Sequence, residues 1–226
     1  MSHWSNWSGS VSAKPARLER PRTQAELSAI VAAASKVRVV GAGHSFMPLC
    51  ETDGTLLSLN DMEGQVVVND DKTRAWAPAG WSLARLTQLL WDQGASLINQ
   101  GDVNPQALAG AISTGTHGTG AGLGSLSTAA RAFELMGPDG SVTTCSQADR
   151  PGLFQASRLS LGLTGVITRI EIDILPAYHL EDRLEVYPLD EIAERWDELA
   201  RENRHVEFFV FPYADLAMLK ILHPRP

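Results

Sequence analysis

The stretch at residues 37–46 constrains the fold more than any other, because a run of β-branched residues leads directly into a glycine-rich loop. Residues 37–40 are typical of a buried strand, and the following Gly41-Ala42-Gly43 allows the backbone to turn closely around a ligand. Such a loop can direct several N–H groups at one point, which suits phosphate oxygens. An ordinary tight turn is the alternative. Phe46 replaces the third glycine of Gly-x-Gly-x-x-Gly, so the pattern does not favour a nicotinamide site.

Length and charge narrow the class of protein. The 226 residues are enough for about one and a half domains with a sizeable core. Hydrophobic residues make up 44% and charged residues 20%, which is ordinary for a globular protein. The 19 Lys and Arg residues stand against 26 Asp and Glu, a net charge of −7. Because no basic run offsets this acidic balance, we expect no nucleic-acid partner.

The cysteine and hydropathy patterns favour a cytoplasmic protein. Cys50 and Cys145 are the only cysteines, and the polar residues 1–15 lack the apolar segment of a secretory signal. No run of 18 apolar residues occurs, so no membrane span is expected, although peripheral association with a membrane stays open. The histidines lack the spacing of a metal site, so no metal is expected.

Local signals in the first hundred residues predict short strands mixed with isolated helices. Thr23 and Glu26 form a capping-box pattern for a helix that leads into the strand at 37–40. Ser82 is a candidate cap for a second helix. Three further strands are expected at residues 56–59, 66–68 and 73–77. The order lacks the regular alternation of a doubly wound sheet, so the predicted fold class is α+β.

The later residues predict a hairpin, a long strand and the start of another unit. Pro138-Asp139-Gly140 is a turn signal, and residues 166–174 read as a half-buried strand that Pro176 ends. A charged helix and a strand at 207–211 follow. The apolar face of that single helix would consist of Leu189, Ile192, Trp196 and Leu199. These few elements cannot enclose much core, so they are expected to open a second, incomplete domain.

A second glycine-rich stretch covers residues 110–124 and contains six glycines among Ser and Thr residues. Such a composition forms a poor strand, a poor helix and a loop that is costly to order. It is either a flexible linker or a wall of backbone N–H groups and hydroxyls around a ligand. Ile112 and His117 lie within it, between two predicted strand regions, which favours the wall.

The two glycine stretches together resemble the vanillyl-alcohol-oxidase (PCMH) type of FAD-binding domain, and within it the sugar 1,4-lactone and alditol oxidases. The matching segments are residues 6–9, 21–27, 39–46, 110–120, 162–167 and 205–213. Gly-x-Gly-His-Ser together with Thr-His-Gly-Thr-Gly makes this resemblance specific. It implies a two-subdomain FAD-binding domain at residues 1–177 and, at residues 178–226, the start of an incomplete α+β substrate (cap) domain.

The resemblance implies FAD as the cofactor and His44 as the residue bonded to the flavin 8α-methyl group in many such enzymes. A histidine ring nitrogen has the nucleophilic character that such a bond requires. Arg38 is the nearest cation, and its place inside a strand favours a structural role. His117 either hydrogen-bonds flavin or substrate, or braces its loop through a backbone carbonyl. The implied FAD contacts are Val39, Val40, Gly41, Ala42, Gly43, His44, Ser45, Ser113, Thr114, Gly115, Thr116, His117, Gly118, Thr119, Gly120, Gly165, Val166 and Ile167.

The resemblance further implies a reaction: oxidation of a CH–OH group in a sugar lactone or an alditol, with dioxygen as acceptor and hydrogen peroxide as product. In that family, residues that bind substrate and handle protons come mainly from the C-terminal domain, so no catalytic residue is assigned. Residues 1–226 are expected to be a partial chain that keeps flavin binding and lacks steady turnover. Two alternatives stay open: a non-catalytic FAD-binding module, and a structural domain in which both glycine stretches are only loops.

Overall fold

The computed structural model describes residues 3–225, which form four sheets and seven helices. The mixture of largely antiparallel sheets with separate helices confirms the predicted α+β class. In chain order the elements are β1 (Trp4–Ser5), β2 (Ser12–Ala13), β3 (Arg17–Glu19), α1 (Gln24–Ala33), β4 (Val37–Val40), β5 (Thr55–Ser58), β6 (Val67–Val68), β7 (Arg74–Pro78), α2 (Leu83–Asp92), β8 (Ala95–Leu97), α3 (Leu108–Ser113), α4 (Leu126–Ala129), β9 (Ala130–Met136), β10 (Val142–Ser146), α5 (Pro151–Ser157), β11 (Val166–Pro176), β12 (His179–Pro188), α6 (Leu189–Glu194), α7 (Trp196–Glu202), β13 (His205–Val210) and β14 (Leu216–Arg225).

A small parallel sheet of order β3-β5-β4 carries the first glycine loop, with α1 packed against it. The predicted capping box of α1 is confirmed, because the Thr23 hydroxyl accepts the Glu26 N–H while the Glu26 carboxylate accepts the Thr23 N–H. Leu27 and Val31 are buried against Leu57 of β5. This helix therefore fixes the strand from which the loop emerges.

The main sheet has the order β10-β9-β11-β7-β6, and β8 pairs with the end of β11. The predicted hairpin is the β9–β10 pair, and the long predicted strand is β11. Ile170 lies opposite Ala77 of β7 and Phe133 of β9, and all three are fully or almost fully buried. This sheet and α2 enclose the largest core, which provides a rigid wall for the cleft described below.

The last elements form a separate three-stranded sheet of order β12-β14-β13, covered on one side by α6 and α7. The predicted single helix is wrong, because Arg195 leaves the helical region with φ −98° and ψ 5° and divides it in two. Ile192 and Leu199 still share one small core, so the apolar pattern was correct while the helix continuity was not. The domain boundary after residue 177 stays a prediction.

Two other predictions are corrected. The strand at 37–40 is present, but only Val40 is buried, because β4 is an edge strand that lines an open cleft. The second glycine stretch is not all loop: α3 includes Gly110, since fully buried Ala111 and Ile112 anchor one side of this short helix. Within residues 3–225 the longest helices have ten residues each, and no helix is long and apolar enough to cross a membrane.

Candidate functional site

A cleft of about 550 Å³ lies between the small parallel sheet and the main sheet. Its walls come from β4 and the loop after it, from the start of α3, and from the loop that leads into β11. The volume falls within the range of small-molecule sites. Its lining is mostly small or apolar, and among the described residues it includes no Asp or Glu.

Both glycine stretches line this cleft, the first through Gly41, Ala42 and Gly43 and the second through Gly110, Ser113 and Thr114. A Cβ added to Gly41 would stand 2.9 Å from the Ala107 Cβ, so the loop after β4 approaches the start of α3 as closely as a bare backbone allows. Ala107 is held in place because the Leu108 and Ala109 N–H groups donate to the carbonyls of Trp81 and Ala79. The predicted convergence of the two stretches on one cavity is therefore present.

The loop after β4 leaves a row of backbone donors unpaired. Within residues 3–225 the N–H groups of Ala42, Gly43 and His44 donate to no protein acceptor. All three residues line the cleft. Successive free N–H groups in a turn form a concavity that binds anions, and backbone donors rarely stay without a partner. The loop thus has the chemistry of a phosphate site.

Most of the implied FAD contacts line this one cleft. Twelve of them do so: Val39, Val40, Gly41, Ala42, Gly43, His44, Ser45, Ser113, Thr114, Gly165, Val166 and Ile167. Six do not: Gly115, Thr116, His117, Gly118, Thr119 and Gly120. The first set brings together three chain segments that are far apart in sequence.

The six other residues run from the cleft toward the C-terminal unit, which consists of the sheet of β12, β13 and β14 with α6 and α7. The Thr116 hydroxyl accepts from Gln106 Nε2 at 3.3 Å, and Nδ1 of the exposed His117 lies 2.9 Å from the Gly118 carbonyl oxygen. A Cβ on Gly118 would approach the Gln100 carbonyl oxygen to 2.1 Å, so this position is closed to side chains. His117 makes the loop-bracing contact that was one of its two alternatives.

Arg38 provides a positive charge in the cleft lining. Although its strand position favoured a structural role, its side chain has no ion pair or hydrogen bond within residues 3–225. It lies near Cys50, whose thiol pKa is raised by burial and partly lowered by the Arg38 charge. With no carboxylate in the lining, this guanidinium is free to meet an anion.

Two features at or beside the cleft were not predicted from the sequence. Gln106 lines it, and the buried Oε1 of this residue has no hydrogen-bond partner, as expected of an atom that meets a ligand. The second group is the β1–β2 hairpin, residues 4–13, which contacts the His44 loop. Gln106 had no sequence signal, whereas residues 6–9 belonged to a matching segment and could have been assigned to the site.

The hairpin holds the loop by donating hydrogen bonds to two carbonyl groups of the loop. The Trp7 N–H donates to the Gly43 carbonyl at 2.9 Å, and Asn6 Nδ2 donates to the Ser45 carbonyl at 3.0 Å. Gly43 has φ 70°, which favours glycine, and a Cβ there would stand 3.2 Å from the Trp4 ring. The indole of Trp7 stacks on the His44 imidazole with centroids 5.3 Å apart and planes 20° apart.

His205 joins the C-terminal unit to the second glycine stretch. Its Nδ1 lies 3.1 Å from the Thr119 carbonyl oxygen and 3.2 Å from the Thr119 hydroxyl. Burial lowers the pKa of this histidine, the bond to the Thr119 carbonyl opposes that shift, and Arg204 reinforces it. Glu207 raises the pKa and Lys220 lowers it. The net direction is downward, so the neutral ring is the form that fits this contact.

We expect the free energy of unfolding to fall on acidification because of His205. Below its ordinary pKa of about 6.5, the unfolded chain binds a proton that the folded protein resists, so stability decreases as pH falls, by at most about 1.4 kcal/mol per pH unit for one proton. Urea unfolding between about pH 7.5 and 5.5 measures this slope. His205→Asn should reduce it, because asparagine does not titrate in this range. A slope in His205→Asn equal to that of the wild type would contradict the assignment.

Comparison with known proteins gives two family matches along this chain. The family model described as FAD binding domain matches residues 15–146, more than half of the chain. A second model, described as D-arabinono-1,4-lactone oxidase, matches residues 170–225. The first match contains both glycine stretches and β4, and the second contains β12, β13 and β14.

Several curated relatives align with nearly the whole chain. The L-gulono-1,4-lactone dehydrogenase of Mycobacterium tuberculosis is 36% identical over 99% of this chain and 54% of its own length. The L-gulonolactone oxidase of Mus musculus is 31% identical, with 93% and 49% covered. The D-arabinono-1,4-lactone oxidase of Eremothecium gossypii is 30% identical, with 95% and 42% covered. The chain therefore spans about half the length of the curated relatives that it matches.

Proposed function

Because this chain belongs to the FAD binding domain family, we propose that FAD occupies the cleft and serves to oxidise a CH–OH group of a sugar 1,4-lactone with dioxygen as acceptor. The observation that carries the proposal is that Gly41, His44, Ser113 and Gly165, from three distant segments, line one cavity. The match of residues 170–225 to the lactone oxidase model and the names of the relatives support the substrate class. A polyol is the other substrate expected from the sequence.

The cleft residues fit the diphosphate of FAD. The free N–H groups of Ala42, Gly43 and His44 would donate to phosphate oxygens, and Arg38 would supply the charge that these dipoles lack. The lining contains no carboxylate that would repel the diphosphate. We assign the adenosine half to Gly165, Val166 and Ile167, in line with the family resemblance.

The second glycine stretch would form the opposite wall. Ser113 and Thr114 contribute hydroxyls to the cleft, and Gln106 offers an unpaired Oε1 that can accept a hydrogen bond. Residues 115–120, which continue from Thr114 toward the C-terminal unit, are proposed contacts of the ring end of the cofactor. These contacts would fix the cofactor rather than react with it.

When bound, FAD would supply the redox chemistry, as the acceptor of the hydride that leaves the substrate CH–OH group. This chain holds and orients the cofactor. The base that takes the hydroxyl proton is not assigned to a residue of the chain. The free thiols Cys50 and Cys145 are compatible with a reducing, cytoplasmic setting, which we also propose.

We further propose that His44 forms a covalent bond to the flavin. One ring nitrogen of His44 would join the 8α carbon, the imidazole and that carbon would each lose one proton, and the two remaining electrons would pass to dioxygen to give hydrogen peroxide. Within residues 3–225 no hydrogen bond occupies either ring nitrogen of His44, so both are available. The position of His44 in the cleft lining supports this assignment.

His44→Ala should abolish flavin attachment while leaving reversible binding. We expect flavin to stay with the acid-denatured wild-type polypeptide and to be released completely from the variant, as measured by flavin fluorescence of the washed precipitate. His117→Ala removes the other histidine of the two glycine stretches, a proposed contact of the ring end of the cofactor, and should keep the link because the bond is assigned to His44. Flavin that is retained by His44→Ala but released from His117→Ala would show that the attachment site is His117. Complete release of flavin from the wild type would refute the covalent bond but not reversible FAD binding.

Arg38→Met should weaken reversible FAD binding by about 10- to 100-fold, the effect of losing one charged hydrogen bond to phosphate. Titration of flavin fluorescence in a His44→Ala background measures this without interference from a covalent link. Lys36→Met is the control. This substitution also removes one positive charge, but Lys36 pairs with Asp53 outside the cleft. Equal affinities for the two variants would contradict a phosphate contact and return Arg38 to a structural role.

The substrate class is tested by anaerobic mixing of the FAD-loaded protein with L-gulono-1,4-lactone, with D-arabinono-1,4-lactone and with an open-chain polyol. We expect a lactone to bleach the visible flavin absorbance, and air to restore it with one hydrogen peroxide per flavin. A single reduction is measured rather than turnover, because residues that select the substrate are expected mainly outside the FAD-binding domain. Flavin that is reduced by the polyol but by neither lactone would refute the substrate assignment and leave FAD binding intact.

A further inference from the structure

Trp7 occupies a position that core packing does not explain. Its side chain is 68% exposed, so this large indole gains little from burial. It nevertheless stacks on the imidazole of His44, with centroids 5.3 Å apart and an angle of 20° between the planes. Phe46 meets the indole edge-on at 6.4 Å and 83°. The indole is therefore placed by its contact with the cleft residue His44 and by Phe46.

The backbone that carries Trp7 is fixed more firmly than its exposure suggests. Asn6 is 5% exposed, its Oδ1 accepts the Val11 N–H at 3.0 Å, and its Nδ2 donates to the Ser45 carbonyl. Trp7 itself donates its N–H to the Gly43 carbonyl. The hairpin is thus joined to the loop on both sides of His44. An indole on this backbone has a defined position beside the imidazole.

The imidazole of His44 has no other specific restraint. Within residues 3–225 neither ring nitrogen accepts or donates a hydrogen bond, and the ring is only half-buried. A histidine ring without such bonds rotates between orientations about its last torsion. Parallel stacking removes much of that freedom, and it acts on the ring faces while the nitrogens at the edge stay accessible.

We propose that Trp7 is a positioning residue that holds the His44 imidazole in one orientation at the cleft with both ring nitrogens free. The proposal rests on the proposed function, in which His44 bonds to the flavin. Trp7 acts through His44 and takes no part in the chemistry. Its loss should slow formation of the bond, because the ring would spend less time in the reactive orientation. Reversible binding of FAD, which depends on other cleft residues, should change little.

The structure offers a matched control in a second tryptophan–histidine pair. Trp91 of α2 is 43% exposed and meets His179 with ring centroids 5.0 Å apart at 72°. Neither residue lines the cleft. Trp91→Ser therefore removes an exposed indole beside a histidine without touching His44. Trp7→Phe is the conservative variant, which keeps an aromatic face for stacking.

The first measurement needs no flavin. The carbon-bound ring protons of His44 should be displaced in the NMR spectrum by the ring current of the indole above them, with His44→Ala used for assignment. Trp7→Ser should return these signals toward those of a free histidine, Trp7→Phe should retain part of the displacement, and Trp91→Ser should leave them unchanged. Signals that do not move in Trp7→Ser would overturn the positioning role, whether or not the protein binds FAD.

The second measurement follows covalent attachment after apoprotein is mixed with FAD, as flavin retained on the acid precipitate over time. Trp7→Ser should slow attachment roughly three- to ten-fold, the effect of one aromatic contact, with partial rescue in Trp7→Phe. The FAD dissociation constant, measured in a His44→Ala background, should stay within about two-fold. Equal attachment rates in Trp7→Ser and wild type would refute the proposal while the proposed function stands. A wild type that binds FAD without attachment refutes the covalent step, and the NMR signals then decide the positioning role.

Discussion

The absence of a side chain at Gly41 is the constraint on which the cleft depends. A Cβ there would come within 2.9 Å of the Ala107 Cβ, closer than real Cβ contacts allow. Ala107 cannot retreat easily, because Leu108 and Ala109 donate to the carbonyls of Trp81 and Ala79, which lie between β7 and α2. A larger residue would therefore push the loop after β4 away from α3. The N–H groups of that loop and the hydroxyls of the second stretch would then no longer share one cavity.

Local sequence signals predicted those elements whose cause is local. The capping box of Thr23 and Glu26 fixes the start of α1 with contacts only three residues apart. Ser82 caps α2 in the same way, by accepting the Arg85 N–H. The alternation around Ile170 and the turn at residues 138–140 are equally short-range patterns. For the cleft, the glycine stretches indicated which backbone segments approach a ligand, and the family resemblance indicated that this ligand is FAD.

The remaining features depend on contacts that distant residues supply. Gly110 is helical because Ala111 and Ile112 are buried in the main core, which intrinsic propensity cannot show. Arg38 belongs to a strand pattern typical of a core, yet β4 is an edge strand and its neighbouring surface is the cleft. The orphan Oε1 of Gln106 is visible only once its surroundings are known. Gly110, Arg38 and Gln106 each line the cleft, and at functional positions local rules are expected to fail.

The N-terminal hairpin pairs with carbonyl groups of the His44 loop but leaves N–H groups of that loop without a partner. Trp7 and Asn6 donate to the carbonyls of Gly43 and Ser45, so the carbonyls on either side of His44 are paired within the protein. The N–H groups of residues 42–44 have no such partner. A loop paired on both sides would be more stable, since each intramolecular hydrogen bond contributes about 0.5–1.5 kcal/mol net. Because the hairpin satisfies only the carbonyls, the loop keeps its shape before any anion arrives, and its donors stay available. A phosphate site needs both properties, and residues outside the glycine motif itself provide the first of them.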